Sequence, residues 1–217
     1  MRDNPSFAVD DAEAVKQLIR DNSWATFISH VPEHGLVASH YPVLLEEDAE
    51  AIVLLSHVGR PDEEKHQLGQ HPMLVVIQGP HGYISPGWYQ EQPSVPTWNF
   101  AVAHLHGRPE ILGDQQNLEV LDALVEHFEQ HLDNPQLLHA TEASAELAAR
   151  LAAGTVGFRM RVNRFEAKEK MSQNKPAATI ERIIAELRGS GPYAHPGLAD
   201  RMESINAEAL NLGQKGV

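Results

Sequence analysis

Four prolines, Pro80, Pro86, Pro93 and Pro96, fall in one aromatic stretch from Val76 to Gly107, VIQGPHGYISPGWYQEQPSVPTWNFAVAHLHG, and deny it a helix. Each removes a backbone donor and fixes φ, so the chain between them must run as extended segments and turns. The flanks, MLVVIQ (Met73 to Gln78) and NFAVAHLH (Asn99 to His106), have the length and the β-branched or aromatic content of strands. The stretch therefore predicts a stiff loop between two strands that carries Trp88, Trp98, Tyr83 and Tyr89. Ring faces with little entropy left to lose suit a planar ligand. The plainer alternative is that Trp88 and Trp98 only plug the end of a barrel.

Before this loop the chain reads as a helix and three strands. Asp10 or Asp11 caps a short amphipathic helix with Val15, Leu18 and Ile19 on its apolar side. WATFISH (Trp24 to His30) and LVASHYPVLL (Leu36 to Leu45) form a hairpin, AIVLLSHV (Ala51 to Val58) a third strand, and Pro61 opens a short helix to Gln70. After the loop, Leu118, Leu121, Val125, Phe128 and Leu132 recur at helical spacing, a second helix covers Thr141 to Ala153, and a strand follows from Thr155. That strand has Val156, Phe158, Met160 and Val162 on one face and must rejoin the earlier sheet. A helix over Ala177 to Arg188 closes residues 1–188, read as one domain with a helical insertion at about 114–154. The tail, 189–217, is expected to be a partly flexible linker ending in a short helix.

Strands in succession, with helices inserted at one point, predict a mainly β, α+β fold, an antiparallel barrel rather than a doubly wound sheet. Such a small barrel leaves an open edge, which a homodimer covers economically. The chain contains no cysteine, which points to a reducing compartment, and no apolar run of membrane-spanning length, so a cytoplasmic protein is expected. Thirty acidic against 17 basic residues give a net charge of −13, which repels phosphate backbones. Direct DNA binding is accordingly disfavoured.

The motifs first exclude. Neither GxxxxGK[ST] nor GxGxxG occurs. Gly82 to Gly87 misses the nucleophile elbow by one residue too many. His127 and His131 lie four apart on a helix, but Phe128 stands where HExxH has its base, and His104 with His106 lacks a third ligand. No metal site is expected. Polar groups do collect where strands end: Ser39-His40, Ser56-His57 with Arg60, and KEKMSQNK (Lys168 to Lys175). Arg60, Lys170 and nearby hydroxyl or amide donors at one barrel mouth would make a pocket for a single phosphate.

YISPGWY (Tyr83 to Tyr89), VPTWNF (Val95 to Phe100) followed by HLHG, and KEKMSQNK resemble, in order, the motifs of the PaiB family, described as FMN-binding negative transcriptional regulators. The resemblance runs from about Phe7 to Arg188. It implies a homodimeric split β-barrel of the FMN-binding type with flavin at the subunit interface. It also implies cofactor contacts from Ser39, His40, Ser56, His57, Arg60, Lys170, Ser172, Gln173 and Asn174, to which Gln78, Trp98 and Asn99, in and beside the proline-rich stretch, are added as candidates. After Arg60 the family tends to an Asn-Pro pair, whereas this chain has Asp62-Glu63-Glu64, carboxylates that oppose a phosphate. The function so implied is a regulator acting through ligand or partner. The alternative is a flavin oxidoreductase or a haem-binding, haem-degrading split-barrel enzyme.

Overall fold

Asp11 starts the first helix because its carboxylate accepts from the backbone N–H groups of Glu13 and Ala14, at 3.2 and 3.3 Å. In the computed structural model, which describes residues 5–214, a 3-10 turn at Pro5–Phe7 and β1 (Ala8–Val9) precede this helix, α1 (Ala12–Asp21). Then come β2 (Trp24–Val31), β3 (Gly35–Leu45), β4 (Val53–Gly59), α2 (Arg60–His66) with Pro61 in its first turn, and β5 (Met73–Ile84). A 3-10 turn at Pro86–Trp88 leads to β6 (Thr97–Gly107), β7 (Glu110–Ile111), α3 (Asp114–Glu129), α4 (Glu142–Ala152) and β8 (Thr155–Lys170). Three helices follow: α5 (Ala177–Arg188), α6 (Pro196–Ile205) and α7 (Ala207–Gln214).

The eight strands make one sheet in the order β1-β8-β4-β3-β2-β5-β6, with β7 beside β8 and β6 also pairing β8, so the strand path closes on itself. The pairs β2–β3, β2–β5, β3–β4 and β4–β8 are antiparallel. This is the antiparallel barrel that the strand succession predicts. The stiff loop is shorter than expected, because β5 continues through Pro80 to Ile84. None of the helices among the described residues is long and apolar enough to cross a membrane.

The chain divides into two compact units, residues 11–78 with 103–166, and residues 1–10 with 79–102 and 167–217. In the first, β2 alternates as its sequence dictates, with Ala25, Phe27 and Val31 buried on the inner face. Phe27 stands opposite Val75 on β5 and meets Phe158 of β8 edge-to-face, with ring centroids 5.5 Å apart. On α3 the buried residues are Asn117, Val120 and Leu124, one step away from the expected stripe, while Phe128 and Leu132 are exposed. The shift follows from Asn117, whose amide donates to the Ala152 carbonyl (3.2 Å) and to Thr155 Oγ1 (3.1 Å) and so turns that face inward. Gly157 permits the approach, since a Cβ there would sit 2.9 Å from Asn117 Cα.

In the second unit α5 buries Ile180, Ile183, Ile184 and Leu187. Where a linker and one short helix are expected, the tail forms α6 and α7; its last three residues lie outside those described. The imidazole of His195 caps α6 by accepting from Leu198 N at 3.1 Å, and Leu198, Ala199 and Met202 are buried. Asn206 then anchors the end of α6 by donating to the Met171 carbonyl at 2.9 Å.

Candidate functional site

The aromatic loop and the segment after β8 fall in the same unit, and together they line a cavity of about 400 Å³. Tyr89, Pro93, Ser94, Val95 and Thr97 come from the loop and the start of β6, and Lys170, Ser172, Asn174 and Lys175 from the other side. Two lysines, four hydroxyl-bearing residues (one of them Tyr89) and one amide side chain line this space, and its lining contains no carboxylate. Lys170 Nζ lies against Thr97 Oγ1 and 6.0 Å from the centre of the Phe7 ring. Burial pushes its pKa below the usual lysine value. Lys175 Nζ sits 4.5 Å over the Tyr89 ring, which is itself buried. Such a donor set fits a phosphate group.

Local structure fixes these groups. Ser172 adopts a left-handed conformation, φ 62°, which turns the chain sharply after β8 and brings its hydroxyl to Asn99. Asn99 is fully buried; its Nδ2 donates to Ser172 Oγ at 2.9 Å, and Ser172 Oγ donates to Asn99 Oδ1 at 3.2 Å. Asn99 therefore acts here by holding Ser172 in place. Gln173 ties the turn together: its Oε1 accepts from Met171 N and its Nε2 donates to the Glu169 carbonyl, each at 2.6 Å. Its amide is occupied within the turn. Trp98 is exposed, with its ring edge-on to Tyr83 at 6.2 Å.

The other expected phosphate donors belong to the first unit and are already engaged there. Ser56 is completely buried, and its hydroxyl donates to the Pro42 carbonyl at 2.6 Å. Arg60 donates through Nε to the Ala153 carbonyl at 2.8 Å and pairs with Glu63 at 3.2 Å. Asp62, expected to oppose a phosphate, accepts from Tyr41 Oη at 2.7 Å, and Tyr41 in turn accepts from Gly59 N at 3.1 Å. These carboxylates organise the start of α2. Ser39 Oγ meets His66 Nε2 at 3.1 Å, and the exposed His40 pairs with Thr26 at 3.0 Å. Gln78 is exposed at the end of the first unit's part of β5.

His57 has a different setting. Its ring lines an apolar cavity of about 410 Å³ with Pro42, Leu121, Leu124, Val125, Phe128, Leu138, Ala148 and Leu151. Burial lowers its pKa, and its Nδ1 is buried without a hydrogen-bond partner. A neutral imidazole is the form this environment favours. The sequence names Tyr89 only as a ring of the aromatic loop, and it does not single out Thr97 or Ser94. Their only signal is adjacency to Trp98 and to the proline-rich turn. Lys175 was within the quoted KEKMSQNK motif as its last residue.

Comparison with known proteins agrees with the fold. The chain is 30% identical over 200 residues, 91% of its length and 94% of the relative's, to Protease synthase and sporulation protein PAI 2 of Bacillus subtilis. It is 24% identical to an uncharacterised protein of Emericella nidulans, AN0679, covering 86% of this chain and 90% of that one. Among solved structures it is similar to the FAD and heme binding protein from Mycobacterium smegmatis, at 17% identity and TM-score 0.53, covering 75% and 73% of the two chains. It is likewise similar to the flavocytochrome Anf3 from Azotobacter vinelandii, at 14% identity and TM-score 0.54, covering 76% and 70%. The likeness of both structures shows a split-barrel fold. Residues 1–164 match the family described as "Putative FMN-binding domain", and with the 30% identity to the Bacillus protein this places the chain in that PaiB-type family.

Proposed function

We propose that the chain binds FMN as a homodimer, with the flavin phosphate in the cavity between Lys170 and Lys175, and serves as a PaiB-type regulator acting through ligand or partner. The observation that carries the reading is the half-buried Lys170 ammonium, which faces a cavity lined by hydroxyls, an amide and a second lysine, with no carboxylate. A buried cation without a counter-charge is costly, and a phosphate offsets that cost. Thr97, Ser94 and Asn174 would complete the phosphate shell. Asn99 would keep Ser172 aligned, and Trp98 and Tyr83 would bound the flat end of the ligand. FMN supplies one- and two-electron redox chemistry when bound. The chain's own contribution is binding, orientation and exclusion of water.

Regulation is carried over from the name of the Bacillus relative, and a net charge of −13 favours an indirect effect over operator binding. A reducing, cytoplasmic setting is supported by the lack of cysteine. A second reading, a haem-binding enzyme, rests on one observation, the neutral His57 ring in its apolar cavity. One titration separates the two. FMN should bind at least about tenfold more tightly than riboflavin, because only FMN carries the phosphate. Equal affinities would defeat the lysine-site reading, and a haemin Soret shift abolished by His57→Ala would favour the second.

The dimer proposal draws on Trp98 and Val95, 56% and 75% exposed beside the cavity, large apolar groups that a second copy would cover. Light scattering at micromolar concentration should give twice the 24.0 kDa chain mass, and Trp98→Glu should shift it towards the monomer. A monomeric wild type would refute the assembly while leaving the phosphate test intact.

A further inference from the structure

Among the described residues, one group of three metal-ligating side chains comes together: Asp122, Glu126 and His139, with one ligand atom of each within 4.8 Å of the others. Asp122 and Glu126 are one helical turn apart on α3, so both carboxylates leave the same face. His139 arrives from the segment joining α3 to α4, and its Nδ1 lies 3.1 Å from Asp122 Oδ1. That separation is close to the roughly 3.4 Å between ligand atoms of a tetrahedral site with bonds of about 2.1 Å.

We propose that Asp122, Glu126 and His139 form a zinc site that fastens the segment between α3 and α4 onto α3, a site independent of the FMN reading. An imidazole with two carboxylates is a borderline donor set that zinc accepts readily, and the exposure of Glu126 and His139 leaves a fourth position for water. The connecting segment is held on both sides of His139. Gln136 N donates to Glu129 Oε2 at 2.6 Å, and Thr141 caps α4 by accepting from Ser144 N at 3.1 Å. The imidazole is thereby delivered to the carboxylates by backbone that is already anchored. The like charges of Asp122 and Glu126, four residues apart on α3, oppose each other, and a cation between them would relieve that repulsion. Zinc bound at His139 Nδ1 would replace the hydrogen bond to Asp122 and leave the ring proton on Nε2.

The competing zinc ligands nearby are His127 and His131, whose rings are 6.2 Å apart on the same stretch. Calorimetric titration of Zn²⁺ into the chelator-treated full chain should show one ion per chain. His139→Ala and Glu126→Gln should each weaken binding by more than about tenfold, whereas the double variant His127→Ala, His131→Ala should bind as wild type does. Circular dichroism checks the fold, and Glu126→Gln preserves side-chain shape, so lost binding with an unchanged helical signal reads ligation directly. Absence of binding at millimolar zinc overturns the proposal. So does wild-type affinity in either single variant, or a loss confined to the double variant.

Discussion

Phe158→Ala is expected to destabilise the protein by about 3–5 kcal/mol, the cost of emptying a large, completely enclosed aromatic site. The ring is 0% exposed, meets Phe27 edge-to-face at 5.5 Å, and sits at the middle of the β4–β8 pairing, opposite Ser56. Phe27 itself stacks on Tyr41 at 5.9 Å, so removing Phe158 unsupports a chain of rings that runs across the inner face of the sheet. With total stability usually about 5–15 kcal/mol, a loss of this size lowers Tm by roughly 6–20 °C in a chain of this length. Phe128→Ala is the comparison. Phe128 belongs to an apolar stripe that reads just as well in sequence, yet it is 45% exposed, and its loss should cost less than about 1 kcal/mol. Equal shifts in the two urea midpoints would mean that Phe158 is not the keystone its burial suggests.

The contrast between these phenylalanines shows where the sequence was legible. Along β8 the alternation of Val156, Phe158 and Met160 with Gly157, Arg159 and Arg161 admits one assignment of faces, and the burial follows it except at Gly157, which is buried against Asn117. On α3 the apolar residues are so numerous that two neighbouring stripes compete. The choice between them was made by Asn117, a polar residue that hydropathy counts against burial but that finds its partners at Ala152 and Thr155. The tail was underread for a related reason. Its apolar residues Leu198, Met202 and Leu210 recur at multiples of four, but the start is capped by a histidine and lies among glycine and proline, which look like linker.

The candidate site divides in the same way. KEKMSQNK announced donors, and the structure brings Lys170, Ser172, Asn174 and Lys175 to one cavity. Which donors are free to act could not be read from residue type. Ser56 and Arg60 look as suitable as Lys170, and only the carbonyls of Pro42 and Ala153, distant in sequence, show them to be engaged, just as Asn99 Oδ1 engages the hydroxyl of Ser172. Conversely, Asp62 and Glu63 look hostile to phosphate until Tyr41 and Arg60 are seen to take them up. Hydrogen-bond satisfaction is a property of the folded neighbourhood, so it is the part of a site least available to motif reading.

The largest functional effect is expected from the two lysines. Each charge-assisted contact to a phosphate contributes about 1.5–3 kcal/mol, so Lys170→Ala and Lys175→Ala should each weaken FMN binding by roughly tenfold to a hundredfold, and the double variant by about 10²–10⁴. Riboflavin binding should change little in all three, which separates loss of a phosphate contact from loss of the pocket. The pH profile adds a sign. Burial holds the Lys170 pKa below the ordinary lysine value, so the free protein gives up that proton at a pH where an exposed lysine keeps it. FMN affinity should therefore rise as the phosphate takes its second charge near pH 6, then fall as the pH climbs through the lowered Lys170 pKa. For the unliganded chain the linkage runs the other way: between the lowered pKa and about 10.4 the unfolded state binds more protons than the folded one, so stability increases with pH there. Lys170→Ala should abolish the alkaline fall in FMN affinity and Lys175→Ala should leave it. The same titration on Arg60→Ala decides the remaining question of place. An affinity loss matching that of the lysine variants would move the phosphate to the start of α2. A loss of less than about threefold would leave Arg60 as the clamp that joins this helix to the Ala153 carbonyl.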